Sequence, residues 1–259
     1  MHPQSGLEKC LPFLSSESQL WTIPPVSPRP VKSRLAITIS RQSGSGAHVV
    51  ATRLAESLQL HNADPLCPWS VFDRNLVEKV LEDHHLPTRF ARFMPEDRTS
   101  ELAEVLDELL GNHPPTTVLV QQTAETVLQL AQRGHVILIG RGANLITRGL
   151  ENVFHVRLVG SLDKRIAHVQ QTHGLDRKAA MELIHAEDRG RRRYLRKYFG
   201  ADPDDPKLYH LVINTDLVNY DMAAAMILDA AQGSSHRKSE PLRLDSVVTA
   251  GRGVLPELG

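Results

Sequence analysis

The chain has 259 residues, of which 41% are hydrophobic, and this suits one α/β domain with an insertion or two small domains. Thirty basic residues balance thirty acidic ones, so no net charge directs the protein to nucleic acid or to a membrane surface. Two cysteines, Cys10 and Cys67, are too few for a disulfide framework or a zinc cage.

The sequence also lacks the patterns of metal-binding and membrane proteins. None of its thirteen histidines lies in an H-E-x-x-H motif or beside a cysteine pair, which argues against a dedicated metal site. There is no apolar run long enough to span a bilayer and no basic-then-apolar order in the first residues. We therefore expect a cytoplasmic protein.

Both ends of the chain differ in composition from its middle. Residues 1–34 are rich in serine and proline, and we expect them to form a mostly disordered arm. Residues 232–259 are also polar and are predicted to form a tail. The folded domain should therefore span residues 35–231, a length that suits one domain.

The first predicted element is a strand that leads into a glycine loop and a helix. Leu35 to Ile39 is a short apolar, β-branched run that is typical of a buried parallel strand. The loop that follows contains Gly44 and Gly46, and apolar residues recur at helical spacing from Ala47 onward. The first turn of a helix has unpaired N–H groups and a partial positive charge, and glycines let an anion approach it. This arrangement is typical of a phosphate-binding loop.

The loop matches the P-loop consensus G-x-x-x-x-G-K-[ST] only in part. With Gly46 as the second glycine, the first glycine falls on Arg41. The lysine then falls on Ala47 and the hydroxyl residue on His48. A plain strand-to-helix turn that uses glycines to begin a helix would give the same stretch, so the loop alone leaves both interpretations open.

Strands and helices are predicted to alternate along the rest of the domain. The predicted strands are Ser70 to Asp73, His135 to Ile139, Val153 to Val159 and Leu211 to Asn214. The predicted helices are Asn75 to Glu82, Arg89 to Leu110, Thr116 to Gln132, Leu162 to Thr172, Asp176 to Tyr198 and Tyr220 to Ala231. This alternation indicates a parallel sheet covered by helices on both faces. Ligands of such sheets bind beyond the carboxyl ends of the strands, so residues 40–46, Asp73 and Arg141 should converge.

Two further stretches carry candidate binding residues. Arg141 lies between Gly140 and Gly142 after the clearest predicted strand, where its planar guanidinium could meet a phosphate. A turn arginine in solvent would show the same pattern. The run from Asp188 to Lys197 is basic, and it suits a phosphate-binding helix face, a solvated helix face or an RNA-binding surface. Nucleic acid is the weaker alternative because the whole chain is neutral.

Several segments, in their order and spacing, resemble the cytidylate kinase-like family, a branch of the P-loop nucleoside monophosphate kinases. They are ITISRQSGSGAHVVATRLAESL, WSVFDRNLVEKV, RGHVILIGRGANLITRGL, EDRGRRRYLRKYFG and YHLVINTDL. The resemblance covers nearly all of residues 35–231 and rests on the combined order, because no single segment is specific. Members of this branch typically carry an I-S-R-x-x-G-S-G-G-type loop without the usual lysine.

The resemblance implies a three-layer α/β P-loop NTPase fold. This fold has a five-stranded parallel sheet with helices on both faces, a helical insert and a lid. Residues 74–132 would form the insert that binds the acceptor nucleotide, and residues 184–206 the lid. The implied reaction is ATP-dependent phosphoryl transfer to a nucleoside monophosphate, with cytidylate as the expected acceptor and Mg²⁺ as cofactor. No membrane partner is expected.

The same resemblance implies roles for individual residues. The ATP phosphates would lie on the loop and the start of the helix, at Arg41, Ser43, Gly44, Ser45, Gly46, Ala47 and His48. The substrate-binding residues would be Asp73, Arg141 and Asp188. The catalytic residues would be Arg189, Arg191 and Arg192 of the lid, which would supply the charge neutralisation that a P-loop lysine gives elsewhere. No metal-ligating residue is expected, because phosphate oxygens and water would hold Mg²⁺.

This chain departs from the family pattern at several positions. Ala47 and His48 replace the more usual small and basic residues, and Gly142 replaces the aspartate of a G-R-D segment. Ile184 lies where a lid arginine is expected. These departures favour an alternative in which the protein is a nucleotide-binding regulator that has kept the fold and lost turnover.

Overall fold

The computed structural model describes residues 34–61, 67–73 and 116–237. Its strands are β1 Ala36–Arg41, β2 Ser70–Phe72, β3 Val136–Ile139, β4 Val153–Val159 and β5 Leu211–Asn214. They form one parallel sheet in the order β2-β3-β1-β4-β5. The predicted five-stranded parallel sheet is therefore confirmed, with β1 at its centre.

Helices connect the strands and cover the sheet. Those within the described residues are α1 Ala47–His61, α2 Thr116–Arg133, α3 Ala143–Ile146, α4 Leu162–His173, α5 Arg177–Phe199 and α6 Tyr220–Arg237. A 3₁₀ turn at Pro206–Leu208 precedes β5. The short helix α3 and this turn are the elements that the sequence patterns did not predict.

The two faces of the sheet have separate apolar cores. On one face, Ile37 and Ile39 of β1 pack with α1 and α6. On the other face, Leu138 of β3 packs with Val127 of α2 and Ala143 of α3. Successive side chains of a strand point to opposite faces, so strands buried on both sides are apolar at nearly every position. This accounts for the continuous apolar runs in the sequence and gives the predicted three-layer fold.

A third apolar core joins α4 and α5. The carboxylate of Asp176 caps α5 by accepting a 2.7 Å hydrogen bond from the N–H of Ala179. Ile166 of α4 then packs with Ala180 and Ile184 of α5. Ile184 is completely buried, so the apolar residue at the position of the expected lid arginine is part of the packing that holds α5 on α4.

The structure changes some predicted boundaries. Strand β1 continues to Arg41, beyond the predicted end at Ile39. Helix α6 continues to Arg237, so the prediction of a tail from residue 232 is wrong for residues 232–237. Residues 116–132 of the predicted insert lie in α2, which packs on the sheet. The predicted helices at 75–82 and 89–110, the arm at 1–33 and the tail from 238 lie outside the described residues.

Candidate phosphate-binding site

The segment between β1 and α1 forms a compact loop at the carboxyl end of the central strand. The N–H of Gln42 donates to the carbonyl of Leu158 in β4 at 3.0 Å, which fixes the start of the loop. The Ser45 hydroxyl donates to the carbonyl of Gln42 at 2.8 Å, which closes the turn. The first turn of α1 follows directly, and its N–H groups have no acceptor within the helix. The loop therefore places polarised amides where an anion can bind.

Two glycines allow neighbouring helices to pack closely against this loop. Gly44 and Gly46 have φ angles of 79° and 80°, a region that other residues rarely adopt. A Cβ atom on Gly44 would lie 2.6 Å from the carbonyl oxygen of Arg165 in α4. A Cβ atom on Gly46 would overlap the ring of Tyr220 in α6. Glycine is therefore required at both positions by backbone conformation and by packing.

Acidic and basic side chains of α5 lie against the loop. The N–H of Ser43 donates to the carboxylate of Asp188 at 2.8 Å. The Ser43 hydroxyl donates to Glu187 and accepts a hydrogen bond from the guanidinium of Arg191. Arg191 also donates to Asp188 at 2.7 Å. Of the lid residues predicted from the sequence, Asp188 and Arg191 thus reach the loop, and Glu187 is an additional contact that the sequence analysis missed.

Arg165 of α4 is a second residue that the sequence analysis missed. Its guanidinium donates to the carbonyl of Ser43 at 3.0 Å, to the carboxylate of Asp188 at 2.7 Å and to the carbonyl of Gly160 at 3.0 Å. The residue is only 9% exposed. The sequence pattern could have indicated that Arg165 is buried, because the residue falls beside Ile166 on the apolar face of α4, where a solvated arginine would not lie.

The contacts of Asp188 keep its carboxylate charged. Burial acts to raise the pKa of Asp188, but the hydrogen bonds from Ser43, Arg191 and Arg165 stabilise the charged form more strongly. The net result is a pKa below the ordinary value for aspartate. At neutral pH the loop therefore faces a negative charge that belongs to the protein itself.

A cavity of about 400 Å³ opens in front of the loop. It is lined by every predicted ATP-site residue and by the predicted acceptor residues Asp73 and Arg141. The carboxylate of Asp73 lies 3.7 Å from the guanidinium of Arg41 and 3.8 Å from the imidazole of His48. Arg141 follows β3 with a φ angle of 57°, a backbone conformation that residues other than glycine rarely adopt. The predicted convergence of the strand ends is confirmed.

The other predicted lid arginines lie elsewhere. Arg192 donates to Asp204 at 2.6 Å, and Arg189 is exposed on the surface of α5. Arg196, in the same basic run, donates to Asp202 at 2.7 Å. Much of the positive charge of this run is therefore paired with nearby carboxylates, which does not favour an interface with nucleic acid.

His168 forms one further wall of the site, and Tyr220 packs against it. Their side chains meet with 3.3 Å between the Tyr220 hydroxyl and Nδ1 of His168, and His168 lines the cavity. Burial, followed by the charge of His173, lowers the pKa of His168. Burial also raises the pKa of Tyr220. Both groups are therefore neutral at physiological pH and can exchange a hydrogen bond without carrying charge into the site.

Two wider searches cover the described part of the chain. Within residues 34–61, 67–73 and 116–237, no group of three or more His, Cys, Asp or Glu side chains is arranged to hold a metal ion. In the same ranges, every helix is too short or too polar to cross a bilayer.

The parallel sheet, with a glycine loop between its central strand and the following helix, defines an α/β protein of the P-loop phosphate-binding class. The sequence model of the cytidylate kinase-like family matches residues 36–217, which is more than half of the chain. The chain therefore belongs to the cytidylate kinase-like family, and this membership supports a phosphotransferase activity.

Individual relatives agree with this assignment. A cytidylate kinase of Methanopyrus kandleri is 25% identical over 189 residues, which cover 70% of this chain and 84% of that protein. A cytidylate kinase of Pyrococcus horikoshii is 24% identical over 186 residues, which cover 71% and 81%. A crystal structure of an uncharacterized protein from Eubacterium ventriosum superposes with a TM-score of 0.58 at 21% identity, covering 77% of this chain and 99% of that chain. This structural likeness concerns the fold alone.

Proposed function

We propose that the protein transfers a phosphoryl group from ATP to a nucleoside monophosphate, with cytidylate as the expected acceptor and CDP and ADP as products. One observation carries the proposal. The glycine loop, the guanidinium groups of Arg41, Arg141 and Arg191, and the carboxylate of Asp73 all line one cavity. A cytoplasmic location, expected from the sequence, stays a prediction.

The donor side of the cavity suits a polyphosphate. Ser43 already binds an anionic oxygen of Asp188 through its N–H, so the loop has the geometry to hold such a group. The residues from Gly44 to Ala47 add the partial positive charge of a helix N-terminus. ATP phosphates on this loop would replace the carboxylates of Glu187 and Asp188 as acceptors.

Arg191 is the best placed substitute for the lysine that the loop lacks. It lines the cavity and donates to Ser43 in the loop, whereas Arg192 is paired with Asp204. Phosphoryl transfer depends mainly on positioning and on neutralising the charge of the moving group. We assign the main part of that neutralisation to Arg191 and a supporting part to Arg41. Arg189 and Arg192 would contribute only after α5 had moved.

The acceptor side is formed by Arg141 and Asp73. The guanidinium of Arg141 presents a planar pair of donors that suits the oxygens of a monophosphate. The carboxylate of Asp73 can accept a hydrogen bond from a sugar hydroxyl, and it lies within 4 Å of the guanidinium of Arg41 and the imidazole of His48. These two residues line the same cavity as Arg191.

The donor set also fits Mg²⁺ carried by ATP. Asp73 provides carboxylate oxygens in the cavity lining, which are the hard ligands that this ion prefers beside phosphate oxygens and water. When bound, the ion neutralises charge on the transferred phosphoryl group and the leaving group.

A second function is favoured by a specific observation. The N–H and hydroxyl of Ser43 are both engaged by carboxylates of α5, and Ala47 and His48 replace the lysine and hydroxyl residue of a P-loop. A regulator that binds a nucleotide slowly and does not turn it over would have this arrangement.

One experiment tests both functions. The full chain is incubated with ATP, Mg²⁺ and, in turn, CMP, dCMP, UMP, AMP or GMP, while ADP release is followed and ATP binding is measured by calorimetry. ADP formation that requires one monophosphate supports the kinase. ATP binding without turnover supports the regulator, and the absence of both overturns the two proposals together.

A further inference from the structure

The turn that carries Arg141 has an unusual backbone. Gly140, Arg141 and Gly142 have φ angles of 79°, 57° and 70°, so three successive residues lie in the left-handed region. For Arg141 this conformation is unfavourable, because its Cβ atom comes close to the following carbonyl oxygen. A residue of this kind keeps its conformation only where the surrounding contacts impose it.

Backbone hydrogen bonds supply part of these contacts. The N–H of Gly140 donates to the carbonyl of Ile39 at 3.1 Å, and the N–H of Ala143 donates to the carbonyl of Gly140 at 3.0 Å. The carbonyl of Gly142 accepts a 2.8 Å hydrogen bond from the N–H of Leu145. These bonds join the turn to the end of β1 and to the short helix α3.

Side chains of α5 supply a further contact, because they pack on the open face of Gly142. A Cβ atom on Gly142 would lie 2.9 Å from Cε2 and 3.1 Å from Cζ of the Phe199 ring, and 3.3 Å from Cδ2 of Leu195. The lack of a side chain at Gly142 therefore lets the ring approach the backbone directly after Arg141. An aspartate, which the family pattern has at this position, would need the space that the ring occupies.

The end of α5 that carries Phe199 is itself held in place. Arg192 of α5 donates to Asp204, which also accepts a hydrogen bond from Arg157 of β4, both at 2.6 Å. The rings of Tyr194 and Phe199 meet edge to face with 5.8 Å between their centroids. The ring of Phe199 is therefore a fixed support for the turn and not a loose side chain.

We propose that Phe199 is a positioning residue for Arg141, a role that rests on the proposed function because Arg141 is the residue assigned to the acceptor phosphate. The ring keeps the turn left-handed, and the guanidinium of Arg141 is thereby held in the cavity that it lines. The described lining of that cavity does not include Phe199, so the ring acts through Arg141 without touching the substrate. Because Arg191 of the same helix contacts the phosphate loop, α5 supports the donor side and the acceptor side together.

The first test measures the backbone conformation of Arg141 in the full chain by NMR. The carbon chemical shifts of its Cα and Cβ atoms depend on φ and ψ and respond little to the removal of a nearby ring. We expect Phe199→Ala to move these shifts away from left-handed values. Phe199→Leu, which keeps an apolar side chain against Gly142, should leave them close to those of the native chain.

The control for this test is Tyr198→Ala, which removes the adjacent half-buried ring of α5. It should leave the carbon shifts of Arg141 unchanged. Native shifts of Arg141 in Phe199→Ala, or an equal change in Tyr198→Ala, would overturn the proposal.

The second test follows the acceptor by steady-state kinetics. Phe199→Ala should raise the KM for CMP about fivefold and should change the dissociation constant of ATP less than about twofold. In an Arg141→Ala background the same substitution should change the KM for CMP less than about twofold, because the residue through which Phe199 acts is gone. A role in stability alone would give equal changes in the two backgrounds and would overturn the proposal.

Failure of the proposed function would give a different result. If the native chain turned over none of the monophosphates, the kinase proposal would fail, whereas the carbon shifts would still decide whether Phe199 sets the conformation of Arg141. An active native chain with an unchanged KM for CMP in Arg141→Ala would overturn the role of Arg141 and with it that of Phe199.

Discussion

The backbone N–H of Ser43 donates a 2.8 Å hydrogen bond to the carboxylate of Asp188, so an acidic side chain of α5 holds an amide of the phosphate loop. A nucleotide phosphate needs amides of this kind. The contact between α5 and the loop therefore competes with the proposed substrate, and the balance between them can be measured.

Replacing Glu187 should shift that balance toward the nucleotide. The variant Glu187→Gln removes a negative charge beside the Ser43 hydroxyl, and we expect ATP to bind about tenfold more tightly, which corresponds to about 1.4 kcal/mol. Calorimetric titration with ATP measures the change. The control is Glu182→Gln on the exposed side of α5. Weaker binding in Glu187→Gln would show instead that this carboxylate helps to hold ATP with its Mg²⁺.

Asp188 should make the protein sensitive to acid. Its lowered pKa means that its contacts contribute full stability above the ordinary aspartate pKa of about 3.9, and that this contribution is lost as the pH falls through the lowered value. The variant Asp188→Asn should therefore be less stable at pH 7 and should lose less stability between pH 5 and pH 2. Urea unfolding across that range, with the exposed Asp163→Asn as control, tests this. Parallel curves for Asp188→Asn and the native chain would contradict it.

Arg165 should be a main source of stability around the loop. Arg165→Met removes hydrogen bonds to Ser43, Asp188 and Gly160 and leaves these buried or partly buried acceptors without that donor, so we expect a loss of about 1.5 to 3 kcal/mol in the free energy of unfolding. Arg177→Met, which breaks an exposed pair with Asp163, should cost about 1 kcal/mol or less. If the two variants lose the same stability in urea, the assignment of Arg165 is wrong.

The packing of Gly46 can be separated from its backbone strain. Gly46→Ala should lower the free energy of unfolding by about 1 to 2 kcal/mol because of backbone strain. Overlap with Tyr220 should lower it by about 1 to 3 kcal/mol more. Gly174→Ala has a similar φ of 67° and nothing within 4 Å of the added Cβ, so it should show the strain alone. In the double variant Gly46→Ala/Tyr220→Ala the overlap is gone, and a double-mutant cycle should give a favourable coupling. Additive losses would exclude the overlap.

Arg141 should act on the acceptor more than on ATP. Arg141→Ala is expected to raise the KM for the monophosphate at least tenfold, because it removes two charge-assisted hydrogen bonds worth about 1.5 to 3 kcal/mol each. The dissociation constant of ATP should change less than threefold. Steady-state kinetics and ATP calorimetry on the same variant measure the two effects. An equal loss for both nucleotides would contradict the role of Arg141.

The parts of this structure that the sequence predicts are those fixed by local pattern. Apolar runs gave the strands, and the alternation of strands with helices gave the parallel sheet, whose topology then required Asp73 and Arg141 to meet at one edge. Arg141 could be found because glycines flank it directly after a strand. These are short-range patterns. They predict spatial proximity because the carboxyl ends of parallel strands lie at the same edge of the sheet.

The residues that the sequence analysis missed are fixed by long-range packing. Arg165 is separated from Ser43 by 122 positions, and only the docking of α4 and α5 on the loop brings them together. Glu187 lies in a run in which Arg189 and Arg192 seemed equally able to reach the phosphates. Which of these neighbours faces the loop depends on the rotation of α5, and that rotation is set by the burial of Ile184 against α4.

Asp204 accepts hydrogen bonds from Arg157 of β4 and from Arg192 of α5, both at 2.6 Å. The second half of α5 is thereby tied to the sheet, while the turn that carries Glu187 is tied to the loop. Movement of the whole of α5 away from the site would break both attachments. Bending of α5 near Glu187 would break only its attachment to the loop. The rates of substrate binding and product release should therefore depend on the stiffness of the helical turn that carries Glu187. A proline or glycine placed in that turn would alter turnover without touching any reacting atom.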